Sequence, residues 1–228
     1  MRQVLTRVGP LARLAQADDA RFAHFEAHVA PGLMGEEGGG GGYGLAPPPQ
    51  GTLVYIPSYF DYVRVRNFLD AKEVEFVTCC EYTEEKDVAR ARCVGGEGGG
   101  ALGFVCFSSA TLLRAYHPSP LSPLRRSRFL TGASPILLMT ERFYFYFRTR
   151  IKGARRVLFY APPTVPHFYP EVVNLLLGGR GGGRPAGDAA SVSMLFTRGD
   201  ALALERIVGT RRLAKLLDEG SARSVFTL

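Results

Sequence analysis

The chain has 228 residues, 46% hydrophobic and 21% charged, a composition ordinary for a globular protein and long enough to bury a core as one domain or two small ones. No apolar run approaches the ~20 residues of a membrane-spanning helix, and four cysteines without a C-x-x-C spacing, two of them adjacent at Cys79-Cys80, favour a reducing compartment over a disulfide framework. The net charge is +7, carried by 24 arginines and only 4 lysines, which suits phosphate forks and base stacking and equally an arginine-heavy genome.

The N-terminus, MRQVLTRVGPLARLA, bears arginine and no acid, as an organellar transit peptide would; the acidic pair Asp18-Asp19 and the helical pattern after it argue against one. Asp18 to Leu33 is predicted to be a helix, with Asp18 as N-cap, Phe22, Phe25 and Val29 on one face, and a stop at Pro31-Gly32. His24 and His28 lie at i,i+4, but the pattern is H-x-E-x-H with no evident third ligand. Two solvated helix histidines are expected rather than a metal site. Residues 36–50 (EEGGGGGYGLAPPPQ) read as a linker, flexible in its glycines and stiff at Pro47-Pro48-Pro49.

Thr52 to Ile56 reads as a strand, Pro57-Ser58 as a turn, and Tyr59 to Leu69 as a helix with Phe60, Val63 and Phe68 inward. Arg64 and Arg66 are two apart and diverge around that helix. Val74 to Cys80 is the next strand, and Thr83 caps a helix carrying Lys86, Arg90 and Arg92. Residues 93–123 break the pattern with a second glycine block, an apolar stretch and X-Pro turns, and read as an inserted mobile loop or an extra hairpin.

Ile136 to Met139 and Val157 to Ala161 are short apolar runs ended by turn signals, which fits strands buried on both faces of a parallel sheet. Between them lie the aromatic run Phe143 to Phe147 and the cations Arg142, Arg148, Arg150, Lys152, Arg155 and Arg156, with no acid after Glu141. As a strand the run would put its Phe rings on one side and its Tyr rings on the other; as a helix it would spread them. Both RNA stacking and packing in the core or against a partner protein fit it. His167 to Leu177 is predicted to be a helix with Phe168, Val172, Leu175 and Leu176 on one face. Residues 178–187 (GGRGGGRPAG) form a solvated loop that faintly resembles RGG repeats. Ser191 to Thr197 alternates like a strand, Asp200 caps Ala201 to Val208, and Arg211 to Asp218 is a last helix before Ser224 to Thr227. Strand and helix in alternation predict an α/β fold, a parallel sheet with helices on both faces, wound right-handed.

Several blocks carry a family resemblance. Thr140-Glu141-Arg142-Phe143 through Ile151-Lys152-Gly153 resembles the fifth motif of superfamily-two helicases. The longer wording from TERFYFY through RIKGARRVLFYAPPTVPHFYPEVVNLL is closer still to the digestive-organ-expansion-factor proteins, DEAD-box-helicase-like components of the nucleolar small-subunit processome. TLVYIPSYFDYVRVRNFL (Thr52 to Leu69) with CEYT (Cys80 to Thr83) resembles that family's fourth-motif region, and IVGTRRLAKLL (Ile207 to Leu217) its C-terminal helix. The resemblance implies a RecA-like second lobe of a superfamily-two helicase over residues 51–228, interrupted at about 93–123. A segment and helix at 1–35 and the linker 36–50 precede it, with a first lobe missing, truncated or on another chain. It also implies a nucleolar localisation, partnership with pre-rRNA, the U-three small nucleolar ribonucleoprotein and other processome proteins, and a role in pre-18S rRNA processing. Helicase second lobes hold RNA phosphates from their fourth and fifth motifs, which makes Ser58, Arg64, Thr140, Arg148 and Lys152 the candidate RNA-binding residues.

Catalytic residues are not expected. None of Lys72, Lys86, Lys152 and Lys215 follows a glycine, so no phosphate loop is present, and the Asp218-Glu219 pair closes a helix rather than a strand. Active DEAD-box enzymes send arginines of a sixth motif onto the γ-phosphate. Aligned by Tyr169, this sequence offers Glu171, Val172, Val173, Asn174 and Leu175 there, and Arg155 stands where the fifth motif ends in Asp. An inert lobe without cofactor or metal is expected. The alternatives are the C-terminal lobe of an active ATP-dependent RNA helicase whose first lobe is on another chain, or a plain α/β scaffold with no RNA role.

Overall fold

A computed structural model describes residues 1–9, 14–34, 51–80, 129, 134–148, 151, 154–177, 190–218 and 223–227. The predicted helix at Thr83, the insertion at 93–123, the linker 36–50 and the loop 178–187 lie outside the described residues. The first half contributes β1 (Arg2–Arg7), α1 (Ala17–His24), α2 (Ala30–Met34), β2 (Thr52–Ile56), α3 (Tyr59–Ala71) and β3 (Phe76–Cys79). The second half contributes β4 (Ile136–Thr140), α4 (Glu141–Phe147), β5 (Arg156–Phe159), α5 (Phe168–Leu177), β6 (Ser191–Phe196), α6 (Ala201–Val208), α7 (Thr210–Asp218) and β7 (Arg223–Thr227).

Among the described residues these strands form one sheet in the order β3-β4-β2-β5-β6-β1-β7, parallel throughout except for β7, which runs antiparallel to β1. The inner strands are buried on both sides because alternate residues serve opposite faces. Leu53, Tyr55, Leu137, Met139, Val157, Phe159, Val192 and Met194 point to one side, where Phe143, Phe168, Val172, Leu204 and Leu213 from α4 to α7 cover them. Val54, Ile56, Ile136, Leu138, Leu158 and Leu195 point to the other, under Phe25, Val29 and Leu33 and under Tyr62, Val65 and Leu69 of α3. The result is the expected α/β architecture, a mostly parallel sheet with helices on both faces.

Strand entry and helix exit have local causes. Gly51, at φ 97, donates its N–H to the Pro135 carbonyl at 3.2 Å and accepts from the Arg155 N–H at 2.8 Å, threading the chain between the starts of β4 and β5 in a conformation that suits a residue without Cβ. Pro170 sits in the first turn of α5, where its missing N–H has no intrahelical partner to lose.

Several expectations change on contact with the structure. The N-terminal segment holds a strand that its sequence did not announce, Arg2–Arg7, which lies between β6 and β7. The parallel sheet also carries one antiparallel strand, β7, at its edge. The first helix runs past Pro31-Gly32 to Met34, because the π turn Phe25–Val29, in which the Ala30 N–H reaches the Phe25 carbonyl, opens the ladder just where the proline ring would collide with it. Asp18 does not cap it; Gln16 holds that position. On α3 the buried face is Asp61, Tyr62, Val65 and Leu69, whereas Phe60, expected inward, is 83% exposed and Val63 and Phe68 are half-buried. The aromatic run is helical. Among the described residues no helix is long and apolar enough to cross a membrane.

Candidate nucleic-acid interface

Because β2, β4, β5 and β6 are parallel, their C-terminal ends open on one edge of the sheet, the edge where α/β folds generally place ligands. Ile56 pairs in register with Thr140, so Ser58 and Thr140 leave neighbouring strands at that edge. Each caps the helix that follows. Ser58 Oγ accepts the Asp61 N–H at 3.4 Å, and Thr140 Oγ1 accepts the Phe143 N–H at 3.2 Å. Thr140 is 1% exposed, so its hydroxyl orients α4 from beneath. Glu141, also buried, accepts the Thr164 N–H at 3.0 Å and the Thr164 hydroxyl, which ties the loop after β5 to the start of α4. Beneath it the Tyr55 phenol is pushed up, by burial first and then by the Glu141 carboxylate.

Arg148 ends α4 in the left-handed region, at φ 42, with its N–H donated to the Tyr144 carbonyl at 2.9 Å. Its guanidinium stands 4.7 Å from the Phe168 ring centre and 5.8 Å from that of Tyr144, and pairs with the Glu171 carboxylate at 2.5 Å. The Tyr144 hydroxyl donates to the same Glu171 oxygen at 3.0 Å, and the phenol is pushed up to about 12, by burial first and then by that bond. Arg64 lies on the opposite face of the sheet. It pairs with Asp19 at 2.9 Å and covers the Phe22 ring at 4.6 Å. The structure thus brings Ser58 and Thr140 together and separates Arg64 from Arg148. Lys152 lies outside the described residues.

Sequence reasoning misses Arg21. This side chain, 5% exposed, donates to Asp200 Oδ2 at 2.7 Å and Asp18 Oδ1 at 3.1 Å, and its guanidinium stands 3.8 Å from Asp61 Oδ2 and 5.9 Å from the Tyr160 ring centre. Asp200 was expected to cap α6; its carboxylate instead accepts the Thr197 N–H and hydroxyl, each at 2.8 Å. Burial raises the Asp61 carboxyl, with Asp18 adding to the rise and Arg21 opposing it. Residues 21, 61 and 200 share no motif, and only the fold makes them neighbours. The rings of His24 and His28 are 4.7 Å apart, and burial followed by His28 lowers His24. Among the described residues no group of three His, Cys, Asp or Glu side chains is placed to hold a metal.

A family model described as Utp25, C-terminal domain, matches residues 1–98 and 115–227. U3 small nucleolar RNA-associated protein 25 of Schizosaccharomyces japonicus is 32% identical over 203 residues, 89% of this chain and 25% of that protein. The homolog from Homo sapiens is 35% identical over 175 residues, 77% of this chain and 18% of that protein. Protein NUCLEOLAR FACTOR 1 of Arabidopsis thaliana is 30% identical over 217 residues, 95% of this chain and 22% of that protein. The chain therefore spans a quarter or less of the length of these three curated relatives. Among solved structures, the C-terminal domain of the DEAD-box protein Dbp5 superposes with a TM-score of 0.42 at 11% identity, covering 89% of this chain and 80% of that one.

Proposed function

The chain belongs to the family of the Utp25 C-terminal domain, and from that premise we propose that it is a non-catalytic, helicase-like structural and RNA-binding component of the nucleolar small-subunit processome, acting in pre-18S rRNA processing and ribosome assembly. The digestive-organ-expansion-factor name and the RecA-like second-lobe description belong to this proposal. So do its partners, pre-rRNA, the U-three small nucleolar ribonucleoprotein and other processome proteins, and its nucleolar place. Support comes from relatives named for association with U3 small nucleolar RNA and, in the plant, as a nucleolar factor.

One observation carries the non-catalytic part. A phosphoryl-transferring lobe needs guanidinium groups aimed at the γ-phosphate. At the corresponding positions α5 turns Val172 and Val173 into the core and presents the Glu171 carboxylate, which already holds Arg148. A carboxylate there repels a polyphosphate. RNA contact is assigned to phosphates, with Arg148, Arg64 and Lys152 as cations, Ser58 as a hydroxyl partner, and Thr140 holding α4 in place. A malachite-green assay of the 228-residue chain with ATP and RNA, alone and with any first lobe supplied in trans, tests the proposal. No RNA-stimulated phosphate release is expected. Release above background would identify the lobe as half of a working helicase instead.

A further inference from the structure

The helical form of the aromatic run divides its rings. Phe143 and Tyr144 are buried against the sheet, whereas Phe145 and Tyr146 are 54% and 50% exposed. Two adjacent exposed rings form a contiguous apolar patch, the kind of surface that marks an interaction site. These two are held, not loose: they meet edge to face at 5.3 Å, and Phe145 also leans on the buried Phe168 ring at 6.3 Å. The exposed Arg142 places its guanidinium 5.9 Å from the Tyr146 ring centre. From Arg142 to Arg156 the sequence contains no acid; of the carboxylates on α4 and α5, Glu141 is buried and bonded to Thr164 and Glu171 is paired with Arg148.

We propose that Phe145 and Tyr146, flanked by Arg142, form a base-stacking platform for single-stranded RNA. Fixed aromatic faces beside a guanidinium match a nucleotide on both counts, since the base offers a π-face and the phosphate a charge, and such stacking tolerates any base. A duplex would not fit, because its bases are already stacked on one another. An acidic peptide would use Arg142 and leave the ring faces without purpose. The platform rests on the RNA-binding reading above and adds contact with bases to contact with phosphates.

The test compares two fluorescein-labelled probes by anisotropy, an oligouridine of about 12 nucleotides and an abasic strand with the same number of phosphates. Both are titrated with the 228-residue chain and with its Phe145→Ala/Tyr146→Ala variant. The wild-type chain should bind oligouridine more tightly than the abasic strand by roughly 5- to 150-fold, the range for one stacked base, and the double variant should lose that preference while keeping its salt dependence. Circular dichroism and melting establish that the variant is folded. Should it not fold, quenching of a 2-aminopurine base by the wild-type chain reports stacking directly. Equal binding of both probes by the wild-type chain, without quenching, would overturn the platform and leave phosphate-directed RNA binding standing. No binding of either probe at low ionic strength would overturn both readings and make the exposed pair a protein-contact surface.

Discussion

Replacing Arg21 by methionine asks whether charge holds α1 to the sheet. The methionine stem can still fill the space of the arginine stem, so the change removes the cation and spares most of the packing. Asp61, with a side chain 6% exposed, then stays buried without the partner that opposes its proton affinity. Breaking a buried pair by deleting one partner costs about 3–5 kcal/mol. Asp18 and Asp200 are more exposed, at 70% and 22%, and water screens much of what they lose. Against a total stability of about 5–15 kcal/mol the loss is large. At ~2–4 °C per kcal/mol for a chain of this size, the melting temperature should fall by roughly 6–20 °C.

The pH dependence sharpens the test. A carboxyl that binds its proton more tightly folded than unfolded makes stability fall as pH rises through the interval above its ordinary 3.8. Arg21 opposes that rise in proton affinity, so its removal stretches the interval upward. Arg21→Met should therefore lose more stability near pH 8 than at a pH closer to the ordinary 3.8, the side on which proton uptake by Asp61 offsets the missing cation. Adding Asp61→Asn should recover part of the loss and flatten the difference. Urea unfolding at the two pH values measures both effects. A loss below about 1 kcal/mol, or one equal at the two pH values, would refute the account of Arg21 as a buried charge anchor.

Glu171→Gln should release Arg148 and lower the Tyr144 phenol from about 12 toward its ordinary 10.0, read by ultraviolet titration of tyrosinate. Because the ion pair is half exposed, its stability cost should stay within about 1 kcal/mol; if Arg148 then meets RNA, the log–log salt slope should steepen by about 0.7. Thr140→Ala should destabilise the protein by roughly 0.5–2 kcal/mol through loss of the α4 cap, with Thr140→Ser restoring most of it in urea unfolding.

The central strands are legible because burial on both faces leaves an unmistakable apolar run, as at Thr52–Ile56 and Ile136–Thr140. β1 is not, because RQVLTR shows a composition suited to a basic leader, and its identity as a strand comes from residues 191–196 and 223–227. The α3 face is misread for a similar reason. Large rings suggest an inward Phe60, but the buried polar position is Asp61, and what makes an aspartate tolerable there is Arg21, forty residues earlier in the chain. Ser58 and Thr140 are recoverable from sequence as hydroxyls at strand ends. The directions of Arg64 and Arg148 are not, since each is set by a carboxylate on another helix, Asp19 and Glu171. The aromatic run defeats prediction because Phe and Tyr favour strands intrinsically, while the Thr140 cap and the left-handed Arg148 enforce a short helix.

The place of β1 between β6 and β7 has a consequence for biosynthesis. Arg2 faces Ser191 on one side and Thr227 on the other, so this strand, made before the other six of the sheet, acquires both neighbours only after the residues up to 227 have been polymerised. At ~5–20 residues per second the ribosome leaves that hexapeptide waiting for about 10–40 s. Newly made chains stalled before residue 191 should accordingly be open to protease and to chaperone capture at Val4 and Leu5, side chains that the finished sheet conceals.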